Sequence, residues 1–553
     1  MIKKCLRGLF FALSILVFAT SLSAQKTSRR FEISRNLDYF NLVYKYLDLY
    51  YVDSISPEKT IQVGINAMLK SLDPYTEFYT EEETKRFGQL MTGNYGGIGA
   101  IIMYHKNGRA CIAEPYEGQP ASESGLRAGD VLLEIDGKPL AGLTIAQISE
   151  RLRGTRGSSL TVKVERMGEK KPIELKITRR TVHIPSVSYY GVYPDGVGYI
   201  HLNTFVGDAT KEFKKAFQEL KKQGITSLII DLRDNGGGLL EAAVEIAGIF
   251  LPRGQEIVST RRRGGEVNER FRTKDTPLDT QIPLLVMVND ESASASEILA
   301  GALQDLDRAV VIGERTLGKG LVQATRPLPY GASMKLTTAK YYIPSGRCVQ
   351  RIAYSHADSM QAALPDSLRS VYYTAAGRKV YGGGGVLPDV IFDKIEKDYS
   401  LLYQLATGID TLYNVFDFVT AYCLKYPIIA PAEQFELTDA DISDFVASLK
   451  DRGFTYKSAS EQALEKMKEV IAREGHEANT KAEMDRLAEL LAHDLDRDVQ
   501  RNKEELKQMI GNEIIVRYFF QRGRALFTLR YDKQFIQARA LITDSAKMRQ
   551  LLQ

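Results

Sequence analysis

The chain has 553 residues, 44% of them apolar and 26% charged, with a formal net charge of +4 at pH 7. That length corresponds to about three to four domains, and the composition is that of ordinary globular cores. The small charge leaves no electrostatic footprint for nucleic acid, and the six histidines and four cysteines, with no HExxH or CxxC spacing, form no metal-ligand cluster.

Residues 1–24 open on Lys3, Lys4 and Arg7, continue through an apolar run from Leu9, and end on the small residues Ser21, Ser23 and Ala24. This is the pattern of a secretory signal cleaved near Ala24. The run is short for a bilayer span of about 20 residues. The expectation is therefore an exported protein, periplasmic or of the cell envelope. Cleavage would leave Cys111, Cys348 and Cys423, an odd and widely spaced set that encodes no disulfide framework.

Residues 25–92 read as a helical N-terminal domain, with apolar residues at helical spacing in Phe40, Val43 and Leu47 and again in Ile61, Ile65 and Met68. Within it, Leu72-Asp73-Pro74-Tyr75-Thr76 marks a turn. From 93 to 180 the pattern changes to short β-type runs punctuated by glycine, among them Ile98–Met103, Val131–Ile135 and Leu160–Val164. The segment Leu126-Arg127-Ala128-Gly129-Asp130 followed by Val131–Gly137 resembles the signature of a PDZ domain. In such a domain a glycine-rich loop turns its N–H groups toward a peptide's terminal carboxylate, and the peptide adds a strand to a sheet edge. Gly93–Gly99 fits that loop, making Tyr95, Gly97, Ile98 and Gly99 the candidate peptide-binding residues.

Residues 181–395 alternate strand-like and helix-like segments, an α/β pattern: Gly198–Leu202, a helix over Ala209–Gln223, the apolar strand Ser227–Leu232, a helix over Leu239–Phe250, and a strand Pro283–Val288. Two strand-to-helix junctions, Arg233–Gly238 and Asp290–Ser296, fall where α/β folds keep their sites. A serine hydroxyl needs a base and oxyanion donors to act as a nucleophile. Ser294 is predicted at a helix start, where free N–H groups and the helix dipole favour negative charge. Ala295 N–H and an amide of the glycine turn, with Gly237 the first choice, are the candidate donors. Capping is the ordinary role of helix-start serines, and Lys319, flanked by Gly318 and Gly320, is what makes a nucleophile the better reading. A Ser-Lys pair is a variant of triad chemistry. It requires the lysine pKa to fall from about 10.4 towards ~7–8 through desolvation. Gln323 is placed to orient the amine with its side-chain oxygen. The stretch Gly313–Lys319 mimics a phosphate-binding GxxxxGK, but Gly320 stands where that motif needs Ser or Thr, so no nucleotide and no other cofactor is expected.

Taken together, the Leu-Asp-Pro turn at Leu72, the glycine loop at Gly93, Ala-Gly-Asp at Ala128, Asp-Leu-Arg at Asp231, Ala-Ser-Ala-Ser-Glu at Ala293, Gly-Lys-Gly at Gly318 with Gln323, Thr338–Arg347 and Pro388-Asp389 resemble the carboxyl-terminal processing (tail-specific) peptidases. These motifs span about residues 70–393. The resemblance implies Ser294 as nucleophile, Lys319 as general base, Gln323 holding the lysine, and Gly237 with Ala295 at the oxyanion hole, with Ser296 structural. The chain departs from the pattern at Asn235-Gly236-Gly237, where the family usually has Asn-Pro-Gly-Gly, and in extra residues over about 351–385. Residues 396–553 carry apolar residues at helical spacing, as in Met484, Leu487, Leu491 and Leu495, and read as a helical extension that packs on the core, pairs with a second copy, or stands free in solvent.

The expected architecture is multidomain α+β: a helical N-terminal region, a PDZ domain, an α/β peptidase core and a helical C-terminal region. The expected function is that of a serine endopeptidase which engages C-terminal regions of protein substrates, with no nucleic-acid partner and with homo-oligomerisation through terminal helices as a further expectation. A non-catalytic PDZ adaptor or chaperone and a small-ester hydrolase are the rivals.

Overall fold

The computed structural model describes residues 29–105, 108–352, 354, 368–392, 400–406 and 413–553. The export segment expected at 1–24 lies outside these residues, as does part of the stretch expected as an insertion at 351–385.

A six-stranded sheet organises the region 181–395, expected to be a peptidase core. Its order is Val187–Val192, Val197–Leu202, Ser227–Asp231, Leu284–Val288, Val310–Gly313 and Val390–Ile391. The first pair is antiparallel and every later pair parallel. Parallel strands joined by crossovers are covered on both faces, which is why Ser227–Asp231 and Leu284–Val288 are apolar almost throughout and wholly buried. Side chains alternate between the two faces. Leu228, Ile230, Val286, Val288 and Val311 join a core with helices Ala209–Lys222, Leu240–Ala247 and Ala295–Asp305. Ile229, Leu285, Met287, Val310 and Ile312 face the other way, onto Phe535, Ala538, Leu541 and Ile542 of the helix Lys533–Thr543. The end of the chain thus forms the second covering layer of the catalytic sheet. Packing on the core holds for this helix, whereas Glu477–Leu491, which carries Met484 and Leu487, has no buried residue.

A smaller sheet lies beside this sandwich. Ser333–Tyr342 pairs with Leu321–Pro327, with Glu256–Arg261 and with Glu77–Tyr79 from the N-terminal region. The PDZ region forms its own sheet, with Ala100–His105 at one end of the order and paired, among the described residues, only to Arg109–Pro115. The helix Ile145–Leu152 lies against that end strand, and Tyr104 Oη accepts from Ile145 N at 3.2 Å.

The remaining C-terminal helices, including Asn414–Lys425, Asp439–Asp451 and Lys503–Leu529, enclose a core of their own around Val419, Phe445, Leu449, Ile510 and Ile514. This body grips the PDZ domain: Arg517 donates to Ala128 O at 2.9 Å, and His105 Nε2 lies 2.8 Å from Asp417 Oδ1.

Candidate active site

Three neighbouring parallel strands end at one place. The turn after Ser227–Asp231 carries Asn235–Gly237, the turn after Leu284–Val288 carries Ser294, and the loop after Val310–Gly313 carries Lys319. Strand order therefore brings together residues up to 84 positions apart (235 and 319) at the carboxyl end of the sheet, where α/β folds bind their ligands.

Ser294 is the N-cap of the helix Ala295–Asp305 and has φ 57°, ψ −113°. A positive φ in a residue with a Cβ costs about 1–3 kcal/mol and persists only where the surroundings impose it. They do so here through the flanking serines. Ser292 Oγ donates to Leu232 O at 2.7 Å, and Ser296 Oγ to Asn235 O at 2.8 Å. Ala293 N donates to the same Asn235 carbonyl at 3.0 Å. Ser292 and Ser296 thus hold the strained turn while Ser294 alone of the three is part-exposed, lining a cleft of about 950 Å³ with Ala295, Lys319 and Gln323.

Glu297, the acid that closes the Ala-Ser-Ala-Ser-Glu stretch, binds the two halves of the site. One carboxylate oxygen accepts Ser294 N at 2.9 Å and Lys319 N at 2.8 Å; the other accepts Gly318 N at 2.8 Å and the Thr316 hydroxyl at 2.6 Å. Its side chain is fully buried. Burial raises its pKa above the usual carboxylate range, against the pull of the four hydrogen bonds; three of the donors are N–H groups, which suit a carboxylate. The only available signal in the sequence was an acid three residues after an N-cap serine, half of a capping box.

Lys319 is half-buried, and its pKa is lowered, first by desolvation and then by the charge of Lys335. Glu297, Glu77 and Asp73 pull in the opposite direction. Its Nζ lies 4.4 Å from the centroid of the Tyr75 ring, and among the described residues no hydrogen bond joins it to Ser294 Oγ. Gln323 donates Nε2 to Thr337 Oγ1 at 3.3 Å, which leaves its side-chain oxygen for the amine.

Two groups of expected site residues have backbone partners within the chain. Gly237 does pack on Ser294, so closely that a Cβ there would lie 2.8 Å from the serine Cβ. Its N–H, however, is given to Asn235 Oδ1 at 2.9 Å, so it is not a free oxyanion donor in this structure. The cause is local, since an Asn side chain closes readily on the backbone two residues ahead. Ala295 N–H remains without an acceptor among the described residues, as the first amide of a helix must. In the PDZ loop, Tyr95 and Gly97 are paired in a ladder with Val182 and Arg180, because the chain enters and leaves the domain side by side. Only Ile98 and Gly99, of the four residues expected to meet a peptide, lie outside that ladder. Gly99 takes φ +73°, and a Cβ on it would meet Gln119 at 2.5 Å.

Three family models match the chain. "Peptidase family S41" matches residues 196–355, "PDZ domain" residues 112–166, and "Probable PDZ-protease, C-terminal helical domain" residues 405–542. A "Carboxy-terminal-processing protease" of Bartonella bacilliformis is 33% identical over 389 residues, covering 69% of this chain and 88% of the relative. The chain belongs to peptidase family S41, the carboxy-terminal-processing proteases. A "Probable CtpA-like serine protease" of Staphylococcus epidermidis is 32% identical over 422 residues, covering 74% of this chain and 81% of that one. The solved "Photosystem II D1 C-terminal processing protease" is 29% identical, covers 68% of this chain and 90% of its own, and superposes with a TM-score of 0.35. Family S41 membership carries the coarse activity: this is a serine-type peptidase with a PDZ domain.

Proposed function

We propose that this S41 peptidase is an exported endopeptidase that cuts protein chains with a Ser294-Lys319 dyad, after its PDZ domain has engaged their C-terminal region. The observation that carries the reading is that Ser294 and Lys319 line one cleft at adjacent strand ends, with the lysine in surroundings that disfavour its charge.

The chemistry follows from those positions. Lys319 Nζ, as the neutral amine, takes the Ser294 proton while Oγ bonds to the scissile carbonyl carbon. Ala295 N–H stabilises the oxyanion. The lysine then gives its proton to the leaving amine as the C–N bond breaks, and water, deprotonated by the same amine, releases the acyl group and restores Ser294. Leu240, Ile298, Phe271 and Leu336 give the cleft apolar walls, suited to an extended, unfolded segment. The end strand Ala100–His105 supports recognition by strand addition, and tethering raises the local concentration of the segment to be cut.

Incubation of an unfolded protein with wild type, Ser294→Ala and Lys319→Ala tests the dyad: cleavage is expected from wild type alone. Full activity in either variant would overturn the assignment, and no cleavage by wild type would overturn the peptidase reading in favour of an adaptor. For the PDZ role, peptides with a free C-terminus should bind more tightly than their amidated forms, and equal affinity would refute carboxylate recognition.

A further inference from the structure

The turn Leu72–Thr76 comes from the N-terminal region, yet it sits under the lysine of the proposed dyad. Asp73 builds the turn, one oxygen accepting Tyr75 N and Thr76 N at 2.8 Å each and the other accepting the Thr76 hydroxyl at 3.0 Å. Thr76 Oγ1 accepts Thr337 N at 3.3 Å, and Thr337 Oγ1 is the group that accepts from Gln323. The next residues, Glu77–Tyr79, pair with Ser333–Lys335, and Glu77 meets Lys335 in an ion pair. A hydrogen-bonded chain and a strand pairing therefore fix where Tyr75 lies. Its ring presents a face to Lys319 Nζ at 4.4 Å and an edge contact to Tyr354, 6.1 Å between centroids.

We propose that Tyr75 is a positioning residue for the dyad: its ring face holds the Lys319 ammonium at rest, and the amine must leave that face to take the Ser294 proton. This rests on the dyad reading given above. An aromatic face is negative at its centre and attracts the ammonium but not the neutral amine. The ring thus favours the protonated lysine, together with Asp73 and Glu77 from the N-terminal region and Glu297 from the serine helix. Lys335 on Ser333–Tyr342 and the dry surroundings oppose it. Tyr341 Oη holds the lysine backbone, donating to Lys319 O at 2.7 Å, so the amine can move while its main chain stays in place.

The test is the dependence of kcat/KM on pH, on a fluorogenic peptide, for wild type, for Tyr75 replaced by phenylalanine, and for that phenylalanine bearing one, two and three ring fluorines. These rings are close in size, so the fold is retained, while each fluorine weakens the negative face. The rising limb of the profile, which reports Lys319 losing its proton, is expected to move to lower pH stepwise, by about half to one pH unit across the series. Tyr75→Leu should move it as far. A limb that stays in place, or moves to higher pH, with Lys319→Ala inactive, overturns the role of Tyr75 and leaves the dyad standing. A wild-type profile without a rising limb, or an active Lys319→Ala, overturns the dyad and this inference with it.

Discussion

Glu297 shows how much a single side chain can decide. It receives hydrogen bonds from the backbone of both Ser294 and Lys319, so the spacing of the proposed nucleophile and base depends on one buried carboxylate. In Glu297→Gln the amide NH2 would point at N–H groups that now meet an oxygen, leaving donors unpaired at a cost of about 1–3 kcal/mol each. We expect kcat to fall roughly 100-fold, since small misplacements of reacting groups carry losses of that order, with a lower Tm. Stopped kinetics on a peptide substrate and thermal unfolding check this; wild-type kcat would show that the loop is held by something else. Ser294 and Lys319 were legible as residues because their types and neighbours state a chemistry. Glu297 was not, because an acid after an N-cap serine has an ordinary explanation in capping, and its second set of donors lies about 20 residues downstream.

Among the elements, the C-terminal helix Lys533–Thr543 carries the most information that periodicity does not. Phe535 is fully buried against Tyr199 and Tyr193, with ring centroids 5.0 and 4.9 Å away. At the start of the same helix Asp532 joins Arg233 at 2.7 Å, and Arg233 is bound to Asp231 at 2.6 Å, just ahead of the Asn235 turn. The helix therefore closes the back of the catalytic sheet and anchors the strand that leads to the site. Phe535→Ala is expected to destabilise the core by about 3–5 kcal/mol, read as a lower denaturant midpoint, with peptidase activity lost in the same transition. Loss of stability without loss of activity would mean that the helix covers the sheet and no more. The helical reading of residues 396–553 rested on other positions, and an apolar stripe does not name its partner.

At the scale of the molecule, the N-terminal helix over residues 29–50 stands apart. Phe31, Leu37, Phe40, Val43 and Tyr46 are exposed along it, and Tyr50 is 77% exposed. A helix apolar on most of its faces belongs in a buried setting, and patches of this extent mark interaction surfaces. The homo-oligomer expected from the terminal helices predicts that this helix pairs with a second copy of the chain. Sedimentation velocity at micromolar concentration should give a dimer or larger, and Phe40→Glu with Tyr46→Glu should give a monomer; a monomeric wild type would refute the pairing. The next N-terminal elements reach the site itself, since Tyr75 lies under Lys319 and Glu77–Tyr79 extends the sheet behind it.

Sequence alone determined the serine, the lysine and the alternation of strands and helices around them, because those are matters of residue type and local period. The family likeness followed from the same motifs. Tertiary structure decided what stands next to what: that three adjacent strand ends converge, that the final helices close the catalytic sheet, that Gly237 spends its N–H on Asn235, and that a tyrosine 244 positions before Lys319 shares its pocket. Such contacts depend on strand order and on which apolar face meets which, and a one-dimensional pattern carries the period of a face without the identity of its partner.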